Sequence, residues 1–283
     1  MGERIDGTLI SAQVKEEVKQ QVDELLEAGK RAPHLVVIQV GDDSRSDAYV
    51  RGKKNACQDA GITFTHEHVP GDYGEEKLIE LIDKYNKDDE VDAMLVQLPL
   101  PAGYDEKHVT ESIVPNKDVD GLTEANIIRL YNNEKGLVPA TPLGIMKILE
   151  AIGQDVDGKH VVIIGRGKLV GHPLSLLMLN HNATVTVCHS HTKNLKEIAK
   201  TADILVVGIG KMYFIDSEYI KEGAVVIDAG INVNEEGKLK GDCNYEDMID
   251  KASYMTPVPR GVGPMTVAML LVNVMTAYHL NEE

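Results

Sequence analysis

Apolar runs and amphipathic stretches alternate regularly through the first hundred residues. A helix is predicted from Ser11, taken as its N-cap, to Gly29, because apolar residues recur there at the spacing of one helix face. Strands are predicted at 35–40, 62–69 and 93–97, with helices from about 47 to 60 and at 75–86 between them. This β-α-β-α-β order predicts a parallel sheet with helices on both faces.

The alternation stops between residues 98 and 142, a stretch rich in Pro, Gly, Asn and Asp, and resumes afterwards. We interpret this irregular stretch as the boundary between two α/β units. The second unit is predicted to contain strands at 160–164, 183–188, 203–207 and 224–228 and helices at 171–181 and 195–200. The apolar segment 265–280 is too short to span a bilayer and contains Asn273 and His279, which favours a packed C-terminal helix.

The strand at 160–164 leads into a glycine-rich turn that opens the next helix. Its glycines, from residue 165 to residue 171, are spaced G-x-G-x-x-x-G, one residue longer than the common dinucleotide fingerprint. Such a turn holds a pyrophosphate against backbone N–H groups at a helix N-terminus, although it can also serve close packing alone. The next strand ends in His189-Ser190-His191, without the acid that usually binds an NAD ribose, and Arg166 lies inside the turn. The missing acid and the added cation indicate NADP rather than NAD.

Composition and charge exclude some classes of partner. The chain has 283 residues, 43% of them hydrophobic and 26% charged, as in a globular protein long enough for two domains. A net charge of −16 argues against nonspecific binding to nucleic acid or to anionic membranes. Three widely separated cysteines indicate a reducing compartment, and the N-terminal residues show no apolar leader, so a cytoplasmic location is expected.

Metal-dependent and serine-hydrolase chemistry lack support in the sequence. The pairs His66/His68 and His189/His191 each alternate along a strand, but neither pair has the further ligands that zinc requires. The segment Asp118-Val119-Asp120-Gly121 lacks the remaining ligands of a calcium loop. No G-x-S-x-G motif occurs. No metal cofactor is therefore expected.

Polar side chains in the first unit are candidates for chemistry. Tyr49 and Lys53 share one helix face, near the carboxyl edge of the sheet where ligands bind. The alternative is that the pair has no function and consists of a solvated Lys beside a half-buried Tyr. A Lys near apolar surface has a lowered pKa and can act as a base or polarise a water molecule. Gln97 ends a buried strand, so its amide needs a partner or a ligand, or else caps local backbone. A carboxylate flanking Val119 would match an amidine-like heterocycle edge.

Several motifs, in order along nearly the whole chain, carry a resemblance to one enzyme family. They are Ser46-x-x-Tyr49-Val50-x-x-Lys53-x-x-Ala56-Cys57, Val96-Gln97-Leu98-Pro99-Leu100-Pro101, Lys117-Asp118-Val119-Asp120-Gly121, Pro139-x-Thr141-Pro142 and Thr256-Pro257-Val258-Pro259-x-Gly261-Val262-Gly263-Pro264-Met265-Thr266. Together they closely resemble the bifunctional methylenetetrahydrofolate dehydrogenase/methenyltetrahydrofolate cyclohydrolases.

The resemblance implies an α/β fold with two α/β domains around a cleft, the second a Rossmann-like dinucleotide-binding domain. A folate-binding catalytic domain would comprise residues 1–139 plus a returning C-terminal helix at 265–283, and an NADP-binding domain would comprise 140–264. Homodimers would form through the cofactor domain. The implied activities are oxidation of 5,10-methylenetetrahydrofolate to 5,10-methenyltetrahydrofolate with NADP, and hydrolysis of that product to 10-formyltetrahydrofolate.

The same resemblance implies a role for each candidate residue. Lys53 would be the central catalytic group, chiefly for hydrolysis, and Gln97 would bond to it and tune its charge. Tyr49 would stack on the folate, and Asp120 would hold the pterin edge. Further substrate contacts are expected at Leu98, Pro99, Pro257 and Gly261. Cofactor contacts are expected at Gly165, Arg166, Gly167, Val170, Gly171, Ser190 and Ile231.

The chain departs from the family pattern at a few positions. Gly167 stands where Ser is usual, and His191 where Lys or Arg is common. Arg260 stands where Gly is usual, and would narrow the folate entrance or contact an anionic glutamate tail. Arg260 also keeps open an alternative function, a dehydrogenase with little cyclohydrolase activity. A non-catalytic dinucleotide-binding regulator is a third possibility, but it would not need Lys53, Gln97 and Asp120 together.

Overall fold

A computed structural model describes residues 2–282, apart from the side chain of Arg45. The chain divides into two compact units. The first, called the Lys53 unit, consists of Ala12–Ala140 and the residues from Val267 onward. The second, called the glycine-loop unit, consists of the residues up to Ser11 and of Thr141–Thr266.

Helices and strands alternate along most of the chain. In chain order they are β1 Glu3–Arg4, α1 Gly7–Glu27, β2 His34–Val40, α2 Ser44–Asp59, β3 Thr63–Val69, α3 Glu75–Asn86, β4 Ala93–Val96, α4 Glu106–Glu111, α5 Glu124–Tyr131, α6 Ala140–Ala151, β5 His160–Ile164, α7 Gly171–Asn180, β6 Thr184–Cys188, α8 Leu195–Ala199, β7 Ile204–Val207, β8 Val225–Asp228, β9 Asn232–Val233, β10 Leu239–Lys240, α9 Tyr245–Met248, β11 Tyr254–Met255 and α10 Val262–Glu282. A 3₁₀ helix lies at Ser217–Tyr219.

The Lys53 unit is built on a parallel sheet with the strand order β3-β2-β4. Alternate residues of β2 face opposite sides of this sheet. Leu35 and Val37 join a core formed with α1, α2 and α10, whereas Val36 and Ile38 join a core formed with α3 and α4. Burying each such side chain contributes about 1.5–3 kcal/mol. Because both faces are covered, the strand reads as a continuous apolar run, and the predicted parallel sheet with helices on both faces is confirmed here.

The glycine-loop unit contains a six-stranded parallel sheet with the order β1-β11-β8-β7-β5-β6. Every residue from Val161 to Ile164 of the interior strand β5 is buried, as its β-branched run predicts. The short strands β9 and β10 form an antiparallel pair after β8. The predicted α/β class with parallel sheets is therefore confirmed.

The beginning of the chain differs from the prediction. Helix α1 starts at Gly7 and not at Ser11, because the Asp6 carboxylate accepts a hydrogen bond from the Thr8 N–H at 3.0 Å and caps the first turn. Ser11 lies inside the helix, buried, and its hydroxyl donates to the Thr8 carbonyl. Strand β1 pairs with β11, and the residues up to Ser11 group with the glycine-loop unit.

Two further corrections concern the middle and the end of the chain. The stretch 98–142, interpreted as irregular because it is rich in Pro, Gly, Asn and Asp, contains α4 and α5, with the N-caps Asp105 and Thr123. Asp is a residue type that both caps helices and occurs in turns. Helix α10 has 21 residues, so by length and composition it could cross a membrane, contrary to the prediction that it is too short. Most of its apolar window is nevertheless buried within the fold, and Pro264 lies in its first turn, where no intrahelical donor is needed.

Candidate functional site

Lys53 and Gln97 form a hydrogen-bonded pair in the Lys53 unit. Lys53 lies on α2, half-buried, and its Nζ donates to Gln97 Oε1 at 2.7 Å. Gln97 follows β4, where its backbone N–H continues the strand pairing by donating to the Ile38 carbonyl. Its Nε2 donates to the Leu98 carbonyl at 2.8 Å, which fixes the amide with its oxygen toward Lys53. The buried amide predicted to need a partner therefore has one.

Asp120 lies close enough to Lys53 for the two charges to interact. Burial lowers the pKa of the Lys53 ammonium below its ordinary value, and the Asp120 carboxylate opposes that shift. Burial likewise raises the pKa of Asp120, opposed by Lys53 and assisted by Asp118. Lys53, Gln97 and Asp120, called the Lys53 cluster, combine a partly desolvated amine, a neutral acceptor and a carboxylate. This set can take up a proton and bind a polar heterocycle edge.

The position of Asp120 follows from a short segment that extends the sheet beside β4. The Met94 N–H donates to the Lys117 carbonyl at 2.7 Å, and the Val119 N–H donates to the Met94 carbonyl. Asp120 follows directly, at the same edge of the sheet as Gln97. Gly121 then turns the chain with φ +64°, and a Cβ there would lie 2.8 Å from the Val138 carbonyl carbon, so only glycine fits.

The other charged residues of that motif support the structure. Lys117 is buried, and its ammonium donates to the carbonyls of Tyr85, Asn86 and Asp88 at the C-terminal end of α3. The buried Asp118 carboxylate accepts from the Thr123 N–H at 2.8 Å and from the Asn126 amide at 3.0 Å. The charged groups of Lys117 and Asp118 therefore both stabilise neighbouring backbone segments through hydrogen bonds.

Tyr49 and Cys57 lie one helical turn before and after Lys53 on α2. The Tyr49 side chain is 58% exposed, so its ring face is accessible to a planar ligand. Cys57 is fully buried, and burial raises the pKa of its thiol to about 12. Cys57 therefore stays protonated at neutral pH and packs as a small apolar side chain rather than acting as a nucleophile.

Asn273 is a residue of this unit whose role the sequence did not reveal. It is buried on α10, and its amide donates to the Val119 and Val138 carbonyls, both at 2.8 Å. These bonds hold the residue before Asp120 and the Val138 backbone, against which Gly121 packs. The signal in the sequence is a polar residue within a strongly apolar helix, since a buried amide needs hydrogen-bond partners.

The glycine turn after β5 has a geometry that requires two of its three glycines. Gly165 has φ +127°, and a Cβ there would lie 2.3 Å from the Gly208 carbonyl oxygen. A Cβ on Gly171, the first residue of α7, would lie 2.1 Å from the Gly165 carbonyl oxygen. Gly167 is exposed with open space around it. The backbone therefore packs tightly at the ends of the turn and leaves its middle open, which suits a cradle for a phosphate group.

Cationic and polar groups gather at the carboxyl ends of β5 and β6. Arg166, Ser190 and His191 are exposed there. The His191 N–H donates to His189 Nδ1 at 3.2 Å, and the His189 N–H donates to the Thr192 hydroxyl at 2.8 Å. Burial lowers the pKa of His189, and the neighbouring Arg166 and His191 lower it further. The fold thus brings Arg166 close to the His189–His191 segment, and the positive charge of Arg166 makes this region favourable for binding an anion.

The remaining residues expected to contact ligands lie in loops. Leu98 is half-buried and Pro99 is exposed, directly after Gln97. In the glycine-loop unit Ile231 is 60% exposed after β8, and Val170 caps α7 without a side-chain hydrogen bond. Pro257 and Gly261 are both buried within one tight turn, in which a Cβ on Gly261 would lie 2.3 Å from the Pro257 carbonyl oxygen.

Models of the two domains of one protein family match this chain. The tetrahydrofolate dehydrogenase/cyclohydrolase catalytic domain matches residues 5–120, and the NAD(P)-binding domain of the same family matches residues 139–282. The bifunctional protein FolD of Agathobacter rectalis is 50% identical over 277 residues, which cover 98% of this chain and 99% of that relative. The bifunctional protein FolD of Aquifex aeolicus is 49% identical over 275 residues, covering 97% of this chain and 94% of that relative.

Solved structures of proteins from the same family also match this chain. The bifunctional FolD methylenetetrahydrofolate dehydrogenase/cyclohydrolase of Campylobacter jejuni matches with a TM-score of 0.96 at 42% identity, covering 99% of this chain and 100% of that one. The methylenetetrahydrofolate dehydrogenase-cyclohydrolase of Trypanosoma brucei, solved with NADP and an inhibitor, matches with a TM-score of 0.93 at 33% identity. That match covers 100% of this chain and 99% of the Trypanosoma brucei chain.

Proposed function

The chain belongs to the tetrahydrofolate dehydrogenase/cyclohydrolase family. From that premise we propose which of its residues act in each of two linked reactions. The protein oxidises 5,10-methylenetetrahydrofolate to 5,10-methenyltetrahydrofolate with NADP, and hydrolyses that product to 10-formyltetrahydrofolate. The observation that carries the assignment of residues is the Lys53 cluster, with its 2.7 Å bond between Lys53 and Gln97.

In the hydrolysis, Lys53 is the group that accepts a proton. A water oxygen forms a bond to the methenyl carbon, and a water proton leaves. Because burial lowers the pKa of Lys53, a larger fraction of its amine is neutral and able to take that proton. The bond between the carbon and N5 then breaks, N5 gains a proton, and the added hydroxyl group loses its proton as the carbonyl forms. The carbon stays on N10 as a formyl group; of the two protons of the water molecule, one ends on N5 and the other is released.

Other residues of the Lys53 unit hold the substrate in place. Gln97 orients the Lys53 amine through its side-chain oxygen. Asp120 accepts hydrogen bonds from the amidine-like edge of the pterin, and the exposed ring of Tyr49 stacks on the folate. Leu98 and Pro99, and in the glycine-loop unit the turn of Pro257 and Gly261, provide further contacts.

The residues of the glycine turn fit a bound dinucleotide. Gly165 and Gly171 let the backbone pack tightly at the two ends of the turn, and Gly167 leaves its middle open to the close approach of a pyrophosphate. Val170 and Ile231 line the same site. Arg166 and Ser190 bind the ribose 2′-phosphate, which explains the preference for NADP. When bound, NADP supplies the hydride acceptor for the methylene carbon.

We also propose that the protein is a cytoplasmic homodimer that associates through the glycine-loop unit. Large apolar side chains on that unit are exposed, as at an uncovered interface; they include Leu169, Leu179, Val233 and Leu239. All three cysteines are free and buried, as is usual in a reducing compartment.

The alternative of a dehydrogenase with little cyclohydrolase activity rests on Arg260. Its guanidinium lies 3.2 Å from the Asp6 carboxylate, and its backbone has φ +79°. The Arg260 guanidinium is therefore already paired with a carboxylate, which reduces its electrostatic attraction for the anionic glutamate tail of a folate. This pairing favours the bifunctional reading over one in which Arg260 alters the reaction.

A coupled assay separates the candidate functions. Purified protein is given methylenetetrahydrofolate with NADP and NAD in parallel, while reduced cofactor, methenyl and formyl products are followed separately. We expect faster turnover with NADP and conversion of methenyl product to 10-formyltetrahydrofolate. Persistent accumulation of the methenyl product would favour the dehydrogenase alternative. NADP binding without turnover would favour the regulator.

A further inference from the structure

Asp242 is a fully buried carboxylate in the glycine-loop unit that accepts hydrogen bonds from three consecutive backbone N–H groups. Its Oδ2 accepts from Ile209 at 2.6 Å and from Gly210 at 3.0 Å, and its Oδ1 accepts from Lys211 at 2.7 Å. These three residues belong to the segment 208–211, called the β7 loop, which follows the carboxyl end of β7. Three converging N–H groups match a negative charge and not a neutral side chain.

The same carboxylate also holds the segment 229–232, called the β8 loop, which follows the neighbouring strand β8. The Asn232 amide donates to Asp242 Oδ1 at 2.9 Å. Asp228, at the end of β8, accepts from the backbone N–H groups of Gly230 and of Asp242 itself. The fit is tight, because a Cβ on Gly230 would lie 2.2 Å from the Asp242 side-chain carbon. Two loops from adjacent strands are therefore fixed to one buried acid.

Both loops belong to the surroundings of the glycine turn. Strand β7 lies between β8 and β5 in the sheet, so the β7 loop emerges beside the end of β5. The Gly208 carbonyl oxygen is the atom that a Cβ on Gly165 would strike, and the Ile209 side chain lies 3.5 Å from the same position. A shift of the β7 loop would therefore change the wall against which the glycine turn rests.

We propose that Asp242 is a positioning residue for the dinucleotide site, holding the β7 and β8 loops in the arrangement that binds NADP. The proposal rests on the proposed function, since it takes NADP as the ligand of the glycine turn. Asp242 touches no reacting atom and acts only through the two loops. No such role is needed for hydrolysis of methenyltetrahydrofolate, which requires no dinucleotide.

Asp242→Asn is the variant that tests the proposal. Each carboxylate oxygen accepts two of the four hydrogen bonds, so an amide in either orientation turns its NH₂ group toward donors. We expect the Kd and KM for NADP to rise by about tenfold or more. Hydrolysis of supplied methenyltetrahydrofolate should stay within about twofold of the unmodified protein.

Asp247→Asn is the matched control. This carboxylate also accepts a backbone N–H bond, from Ser217 at 2.7 Å, and belongs to the same unit, but it contacts neither loop. It removes the same charge and should leave NADP binding unchanged. Asn232→Ala is a milder variant that removes only one bond to Asp242, and it should raise the Kd for NADP by about threefold.

Binding of NADP is measured directly by calorimetry, together with the thermal midpoint and both activities. Weaker NADP binding with intact hydrolysis in Asp242→Asn supports the proposal, and an unchanged Kd overturns it. If Asp242→Asn does not fold, Asn232→Ala decides: a raised Kd supports the proposal, and an unchanged one overturns it. If the unmodified protein binds NADP but turns over no folate, the proposed function fails while the positioning role is still decided by the Kd values.

Discussion

Replacing Gln97 with Glu would place a negative charge where a neutral amide oxygen now accepts a hydrogen bond from Lys53. At the present Nζ to Oε1 separation of 2.7 Å, the added attraction would be about 1.5 kcal/mol at the dielectric constant of water and about 6 kcal/mol at an effective value of about 20. Even the lower figure raises the pKa of Lys53 by about one unit. The fraction of neutral amine at a fixed pH below that pKa then falls about tenfold.

The assay is the rate of methenyltetrahydrofolate hydrolysis as a function of pH. If neutral Lys53 accepts the proton, the Gln97→Glu variant should lose about tenfold or more in rate at neutral pH. Its rate should recover at alkaline pH, with the profile displaced upward by about one unit or more. Gln58→Glu is the matched control, because Gln58 is exposed on the same helix and gains the same charge. An undisplaced profile, or a loss that alkaline pH does not reverse, would refute this role for Lys53.

Three further predictions concern the glycine-loop unit. Gly165→Ala should destabilise the protein by about 2 kcal/mol or more in urea unfolding and weaken NADP binding, because the added Cβ would meet the Gly208 carbonyl oxygen. The control Gly167→Ala should change the unfolding free energy by less than about 0.5 kcal/mol, because the space around Gly167 is open. Equal losses of stability in the two variants would contradict this geometry. Arg166→Ala should raise the Kd for NADP much more than the Kd for NAD in parallel titrations, and equal changes would remove Arg166 from the 2′-phosphate site. Burial raises the pKa of Asp228 to about 6 from 3.8, so between those pH values the folded state binds more protons than the unfolded state. The unfolding free energy should therefore fall by up to about 3 kcal/mol as pH rises through this window, and Asp228→Asn should remove that component; equal pH slopes in the two proteins would contradict it.

The sequence was sufficient to predict the fold class, and it singled out candidate residues in the Lys53 unit whose roles remain predictions. The apolar run of β2 predicted a strand buried on both faces, because a parallel sheet covered by helices leaves no polar side. The four-residue spacing placed Tyr49 and Lys53 on one helix face, since that spacing is nearly one turn. The amide of Gln97, at the end of an apolar strand, predicted a hydrogen-bond partner, and the family resemblance identified Lys53 as that partner.

What the residue pattern alone could not provide were pairings between distant residues. Lys53 and Gln97 are 44 positions apart, and their bond was predicted only through the family resemblance, because it forms where the folded sheet brings the end of β4 against α2. Asp242 lies in a short polar segment that reads as an ordinary loop, and its burial depends entirely on tertiary packing. The short helices α4 and α5 were not predicted, because they lie in a stretch rich in residues typical of turns; Asp105, which caps α4, is itself such a residue.

Lys53→Met tests the central claim most directly, because it removes the amine while keeping an unbranched side chain on α2. The measurement is hydrolysis of supplied methenyltetrahydrofolate, with NADP binding and the thermal midpoint recorded on the same preparation. We predict that hydrolysis is abolished while NADP binds as in the unmodified protein. An unchanged hydrolysis rate in the folded variant would contradict the account.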